Sequence, residues 1–188
     1  MKNFKMIACL LIIQLLTGCI AAIVAGAAAG VIVYDRRSLI IMESDLRIFH
    51  KINTAIITNP QFHNSRIVIV SFNHVVLLIG QTPDPKLRLV AENTAHQQNN
   101  IRRVYNEVKV NYPITIEQQA KDTWITGQIR SKMLATKGLE SGSIRIITEN
   151  GVTYLMGIVT QEQANLAIAV ARQIPGVKQV IKVFQYIN

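Results

Sequence analysis

An internal repeat is the feature of this 188-residue sequence that most restricts the folds it can adopt. When the chain is aligned with itself at an offset of 77 residues, nine identities fall within 36 ungapped positions. A duplication of this length indicates two copies of one small fold rather than a single larger domain. The identical pairs are Asp45 with Asp122, Ile48 with Ile125, Ile52 with Ile129, Ile67 with Ile144, Ile69 with Ile146, Asn73 with Asn150, Val75 with Val152, Leu78 with Leu155 and Gly80 with Gly157.

Each copy opens with a helical pattern, in which apolar residues recur every four positions. Residues four apart lie on one face of an α-helix, so we expect these residues to form the core face of the first helix in each copy. They are Ile48, Ile52 and Ile56 in the first copy and Ile125, Ile129 and Met133 in the second.

A β-hairpin is predicted next, because each copy has a β-branched run, a turn signal and a second apolar run. Asn150-Gly151 is a strong signal, since both positions of a tight primed turn need positive φ, and Asn73-His74 is its weaker form. A glycine ends each hairpin, where the missing side chain allows a bulge or a close backbone approach. A second helix and a final strand then complete the order α, β, β, α, β in both copies.

The N-terminus reads as a secretory signal, with Lys2 and Lys5 ahead of an apolar run from Met6 to Leu16. It ends in Leu-Thr-Gly-Cys at residues 16–19, which resembles the lipobox of bacterial lipoproteins. That resemblance implies cleavage before Cys19, a diacylglycerol thioether on its sulfur and acylation of the new amino group. Ile20 follows where lipoproteins kept at the inner membrane commonly carry Asp, so export to the outer membrane is implied.

An uncleaved membrane-spanning helix is the alternative interpretation, because residues 6–34 are almost all apolar or small and a span needs about 20 residues. Gln14, Thr17 and Gly18 interrupt that stretch, and residues 21–30 are mostly Ala and Gly, which are weakly hydrophobic. A cleaved lipoprotein signal followed by a small-residue tether explains both halves.

The chain is basic, with a formal net charge of +9 that falls to +7 once the two lysines of the signal are removed. A basic surface favours an anionic partner such as phospholipid headgroups, and export argues against nucleic acid. Cys9 is lost with the signal and Cys19 is acylated, so we expect no disulfide in the mature protein.

Several segments resemble the BON domain, a small periplasmic module that often occurs in tandem. The resemblance lies in the element order, in the glycine that ends each hairpin and in Pro-Gly-Val-Lys-Gln-Val at residues 175–180. The other matching segments are residues 104–108, 122–126, 149–151 and 155–157. This resemblance implies that the second copy binds phospholipid and that the protein contributes to outer-membrane integrity.

The predicted fold class is therefore α+β, with two tandem αββαβ domains, each a three-stranded mixed sheet packed on two helices. The predicted segments are a lipoprotein signal peptide at 1–18, a lipidated N-terminus and tether at 19–43, BON-like domains at 44–110 and 121–188, and a linker at 111–120.

No catalytic constellation is recognisable. The four histidines, His50, His63, His74 and His96, all lie in the first copy, and no two of them are four residues apart. The sequence has no nucleophile elbow and no phosphate-cradling glycine loop, and its carboxylates are scattered. We expect a protein that is not an enzyme, with no metal, cofactor or small-molecule substrate.

The first helix of the second copy has an unusual outer face. At about 100° per residue, with Ile125 at zero, Trp124 lies at about −100° and Leu134 at about 180°, both away from the core arc. The outer face also carries small residues and cations, namely Gly127, Ser131, Arg130, Lys137 and Lys121. This pattern is typical of a membrane-interfacial helix, in which Trp lies at headgroup depth and cations bind the headgroups.

We therefore expect Trp124 and Leu134 to enter phospholipid while Arg130, Lys137 and Lys121 hold the headgroups. Arg47 matches Trp124 in the first copy, so only the second copy has the aromatic anchor. The alternative is that Trp124 packs against the first copy or the linker.

Two functions from different classes remain open. The first is a lipid-anchored module of the outer membrane, facing the periplasm, whose second domain binds anionic phospholipid and supports envelope integrity. The second is a protein adaptor that docks onto an envelope assembly such as the outer-membrane biogenesis machinery, a secretin or the division apparatus. Vesicle binding by the unacylated protein distinguishes them.

Overall fold

The computed structural model describes residues 35–188, so the signal sequence, Cys19 and the tether up to residue 34 lie outside the described residues. Two αββαβ units follow each other along this part of the chain. The first comprises α1 (Leu39–Ile57), β1 (Arg66–Phe72), β2 (Val75–Thr82), α2 (Pro85–His96), β3 (Arg103–Asn106) and β4 (Lys109–Val110). The second comprises α3 (Ile116–Ala135), β5 (Ile144–Glu149), β6 (Val152–Val159), α4 (Gln161–Arg172) and β7 (Gln179–Tyr186).

Each unit has a mixed sheet with two helices on one face. In the first unit β2 pairs antiparallel with β1 and parallel with β3 and β4. In the second unit β6 pairs antiparallel with β5 and parallel with β7. The predicted α+β class and the two tandem units are confirmed.

The apolar residues spaced by four face the cores as predicted. Ile48, Ile52 and Ile56 of α1 are buried in one cluster with residues of α2 and the first sheet. Their counterparts in α3, Ile125, Ile129 and Met133, are buried in a second cluster with α4 and the second sheet. Each unit therefore has a core of its own.

The glycines that end the hairpins allow close backbone contact. A Cβ on Gly80 would lie 2.0 Å from the Arg66 carbonyl oxygen, and one on Gly157 would lie 2.6 Å from that of Ser143. Gly80 also has φ of +116°, and opposite it the last strand of the first unit is interrupted between β3 and β4. The predicted role of these positions is confirmed.

Both first helices start earlier than the sequence pattern indicated. α1 starts at Leu39, within the segment assigned to the tether, and α3 starts at Ile116, which shortens the connection between the units to residues 111–115. A hydroxyl caps each start: Ser38 Oγ accepts from the Ile41 N–H at 3.3 Å and Thr115 Oγ1 from the Gln118 N–H at 3.2 Å.

A buried carboxylate links the first helix of each unit to its hairpin turn. Asp45 accepts the N–H groups of Asn73 at 2.7 Å and His74 at 2.8 Å. Asp122 accepts those of Asn150 at 2.6 Å and Gly151 at 2.9 Å. All four turn residues have positive φ, so both turns have the predicted primed geometry, including the turn that contains His74.

The two sheets also pack against each other through their second faces. A third buried cluster joins the units, and every residue of β2 is buried because the strand is covered on both sides. Its buried members are Phe72, Val75, Leu77 and Ile79 from the first unit and Tyr154, Met156 and Val183 from the second. The relative position of the units is therefore set by apolar contact between sheets.

A buried polar cluster lies at one edge of this contact. The Glu149 carboxylate accepts from Arg66 Nε at 3.1 Å, from Arg66 Nη2 at 3.3 Å and from Gln81 Nε2 at 2.9 Å. Gln81 Oε1 accepts the backbone N–H of Ile114 at 3.1 Å, which ties the connection to the same cluster. These bonds satisfy a buried charge and favour one register between the sheets.

We predict that Asp122→Ala lowers the free energy of unfolding by roughly 3 kcal/mol, because two backbone N–H groups lose a charged acceptor. Chemical denaturation of the variant measures this loss. Glu117→Ala on the same helix is the control, since Glu117 is exposed in the first turn and is expected to cost roughly 0.5 kcal/mol. Equal effects of the two substitutions would contradict the assigned role.

We predict that an isolated 121–188 segment folds, because it retains its own core, but that it is less stable than the 35–188 chain. Separation exposes Tyr154, Met156 and Val183, which the first unit otherwise covers. Circular dichroism with thermal unfolding tests both statements. An unfolded 121–188 segment beside a folded 35–188 chain would mean that the copies are halves of one cooperative structure.

Candidate functional site

Helix α3 presents a large aromatic side chain to solvent. Trp124 is 69% exposed and Leu134 is 50% exposed, and Gly127 and Ser131 between them are exposed as well. Trp124 therefore does not pack against the first unit or the linker, and that alternative is wrong. Trp124 and Leu134 thus form the apolar part of the outer face of α3.

An open groove runs beside this Trp. We call it the Trp124 groove; it has a volume of about 910 Å³ and lies between α3 and the turn that follows α4. Its lining is Ala120, Thr123, Trp124, Gly127, Gln128, Ser131, Lys132, Ala135, Gln173, Ile174 and Pro175. A Cβ on Gly127 would meet nothing within 4 Å, so the glycine leaves the groove open and is not required by packing.

The structure separates the predicted cations into two groups. Lys121, Arg130 and Lys137 are all exposed, but none of them lines the Trp124 groove. Arg130 instead lines a cavity between the two units. The three residues that the structure brings together at the groove are Trp124, Gly127 and Ser131.

Lys132 is the cation that lines the groove, and the sequence pattern did not indicate it. On the helical wheel this residue lies beside the core arc, where a charged group is not expected to contribute to the outer face. A lysine has a long apolar stem and can carry its ammonium group away from such a position. The sequence signal that would have identified Lys132 is a charged residue next to Ile125 and Ile129 on the helical wheel.

The corresponding face of α1 is solvated. Arg47, which matches Trp124, makes an exposed salt bridge with Glu43 at 2.9 Å, and Glu43 matches the small Ala120 of the groove. An exposed pair of this kind contributes little stability, and it places charges where the second unit has Trp124 and Ala120. The groove is therefore a feature of the second unit.

Two further properties apply to residues 35–188. Over this range no group of three or more His, Cys, Asp or Glu side chains is placed to hold a metal ion. In the same range no helix has the length and apolar character needed to cross a bilayer.

Comparison with known proteins gives consistent matches over this fold. The BON domain family model matches residues 44–112 and again residues 121–188. Outer membrane lipoprotein DolP of Haemophilus influenzae is 38% identical over 175 residues, covering 92% of this chain and 91% of that one. A 21 kDa hemolysin of Actinobacillus pleuropneumoniae is 39% identical over 124 residues, covering 66% and 64%.

A more distant relative is osmotically-inducible protein Y of Escherichia coli, 26% identical over 72% of this chain and 69% of its own length. The two family matches coincide with the two αββαβ units, and the alignment with the Haemophilus protein spans nearly the whole chain. The chain therefore belongs to the BON domain family, as a tandem two-domain member related to outer membrane lipoprotein DolP.

Proposed function

We propose that this protein is a lipoprotein of the outer membrane, anchored through Cys19 and facing the periplasm, whose second BON domain binds anionic phospholipid and supports envelope integrity. The observation that carries the proposal is the exposed Trp124 beside an open groove on α3. The lipobox at residues 16–19 supports the anchor, as does the similarity to an outer membrane lipoprotein of Haemophilus influenzae.

The outer face of α3 has the composition of an interfacial membrane contact. Trp124 places an amphipathic ring at headgroup depth. Leu134, which is exposed nearer the C-terminal end of the same helix, reaches the acyl boundary. The exposed Gly127 and Ser131 between them allow lipid headgroups to approach the helix backbone closely. The residues of the proposed contact thus follow one exposed face over three helical turns.

Exposed cations in and around the Trp124 groove supply the attraction to anionic lipid. Lys132 lies in the groove, while Lys121, Arg130 and Lys137 stand exposed around it. Each Lys or Arg near an anionic surface adds about 1 kcal/mol, and this contribution falls as salt rises. Binding is therefore expected to require anionic lipid and to weaken at high ionic strength.

We predict that Trp124→Glu weakens binding to phosphatidylglycerol vesicles at least about tenfold, because an apolar anchor is replaced by a charge of the same sign as the membrane. Co-sedimentation of the mature chain from residue 19, carrying Cys19→Ala so that it is unacylated, measures the change. The fluorescence of Trp124 in that chain should shift to shorter wavelength and gain intensity on vesicle addition.

Ala55→Glu is the matched control, since it adds the same charge at an exposed position of α1, the equivalent helix of the first unit. It should bind nearly as well as the parent. If the parent chain neither sediments with anionic vesicles nor changes its fluorescence, the membrane role is withdrawn. The adaptor function at an envelope assembly then takes its place.

We predict that Cys19→Ala leaves both domains folded but releases the protein from the outer membrane or mislocalises it. Two or three acyl chains make a durable anchor, at about 0.8 kcal/mol per buried methylene, and the variant has none. Membrane fractionation measures the release, and mass spectrometry of the mature parent N-terminus detects the acyl groups. Retention of residues 1–18 in the mature protein would support a transmembrane anchor instead.

A further inference from the structure

A cavity between the two units carries two arginines that come from different elements. It has a volume of about 580 Å³, with Arg130 contributed by α3 and Arg145 by β5. We call it the inter-unit cavity. Its remaining lining is mostly apolar and includes Phe49 and Ile69 of the first unit and Ile147 of the second. Asp45 and Ser71 of the first unit also line it, but Asp45 is held by Arg37 and by the N–H groups of the hairpin turn.

A third arginine that lines the same cavity, Arg37, is bound by neighbouring side chains of the protein. Arg37 has a side chain only 7% exposed, donates to Asp35 at 2.8 Å and to Asp45 at 2.9 Å, and stacks over the Phe72 ring at 4.1 Å. Its charge is thus compensated by two carboxylates. Partial burial opposes ionisation of Asp35, but the bonds from Arg37 hold the pKa of that carboxyl below its ordinary value.

Arg130 and Arg145 have no such partners. Within residues 35–188 neither guanidinium makes a hydrogen bond or an ion pair. Although Arg145 is exposed overall, its pKa is lowered, first by partial desolvation at the cavity and then by repulsion from Arg37 and Arg130, while attraction to Asp35 and Asp45 opposes the shift.

We propose that Arg130 and Arg145 form a binding site for a phosphate group, with the apolar wall of the inter-unit cavity receiving the carbon atoms attached to it. A guanidinium group offers a planar fork of N–H donors that matches phosphate oxygens two at a time. A bound phosphate also removes the repulsion between the two arginines. The ligand chemistry is that of a phosphate ester, whose source is either a phospholipid headgroup or a soluble phosphate.

This site shares Arg130 with the proposed membrane-binding surface but is otherwise distinct from it. Arg145 lies on β5 and does not line the Trp124 groove. Substitution of Arg145 therefore tests the phosphate site without changing a residue of the proposed membrane contact.

The first experiment titrates inorganic phosphate into the unacylated mature chain and follows the arginine Nε–H signals by NMR, against sodium chloride at equal ionic strength. We expect saturable shifts of the Arg130 and Arg145 signals, with no change at the exposed Arg172. Arg145→Gln should weaken phosphate binding at least tenfold. Arg145→Lys keeps the charge but loses the fork and should weaken it less. Shifts no larger than those from chloride would overturn the proposal.

A second arm identifies the source of the phosphate. Dihexanoyl phosphatidylglycerol, kept below its micelle concentration, is compared with inorganic phosphate at the same site. Tighter binding of the lipid, with shifts of the Ile147 methyl signals, supports a headgroup ligand. Binding of phosphate alone, with no competition by the lipid, supports a soluble phosphate ester.

Variants of the two surfaces separate this proposal from the membrane function. Trp124→Glu should retain the phosphate response, and Arg145→Gln should retain vesicle binding and a folded circular dichroism spectrum. If Arg145→Gln leaves the phosphate affinity unchanged while the protein is folded, the site is refuted. Loss of vesicle binding in Arg145→Gln would equally overturn the claim that Arg145 lies outside the membrane contact.

Discussion

The position of each hairpin depends on a carboxylate that the preceding helix carries into the protein interior. A primed turn leaves two adjacent N–H groups without strand partners, and burying them unpaired costs several kcal/mol. Asp45 and Asp122 satisfy both donors from the helix side, and each is itself buried. Since a buried charge is tolerated only when it is fully hydrogen-bonded, helix and hairpin can dock in only one way.

That docking leaves the second face of each sheet uncovered, and the arrangement of the whole chain follows from covering it. The central strands β2 and β6 pair in parallel with the last strand and have apolar side chains on both sides. Packing the two sheets together buries these faces and keeps helices α1 to α4 outside. It also places α3 and β5 beside the first unit, which creates the inter-unit cavity.

Local sequence patterns predicted the features that depend on one element at a time. The core face of α3, the exposed position of Trp124 and both turns follow from helical spacing and turn chemistry alone. The start of α3 was missed because Thr115 lies ahead of the apolar pattern and only its capping bond marks the boundary. The pairing of Arg66 with Glu149 could not be predicted, because those residues are 83 positions apart and meet only through sheet packing.

The comparison of the two copies separates what maintains the fold from what gives the second domain its surface. The residues identical between copies include the buried helix positions and the turn-binding carboxylates. The outer face of the first helix differs at the groove: Trp124 corresponds to Arg47, and Gly127 to His50. Duplication retained the groups that the buried N–H donors and the core require, and the solvent-facing positions were free to change. The Trp124 groove, Arg130 and Arg145 therefore belong to the second copy. The first copy supplies the apolar residues Phe49 and Ile69 on the opposite side of the inter-unit cavity.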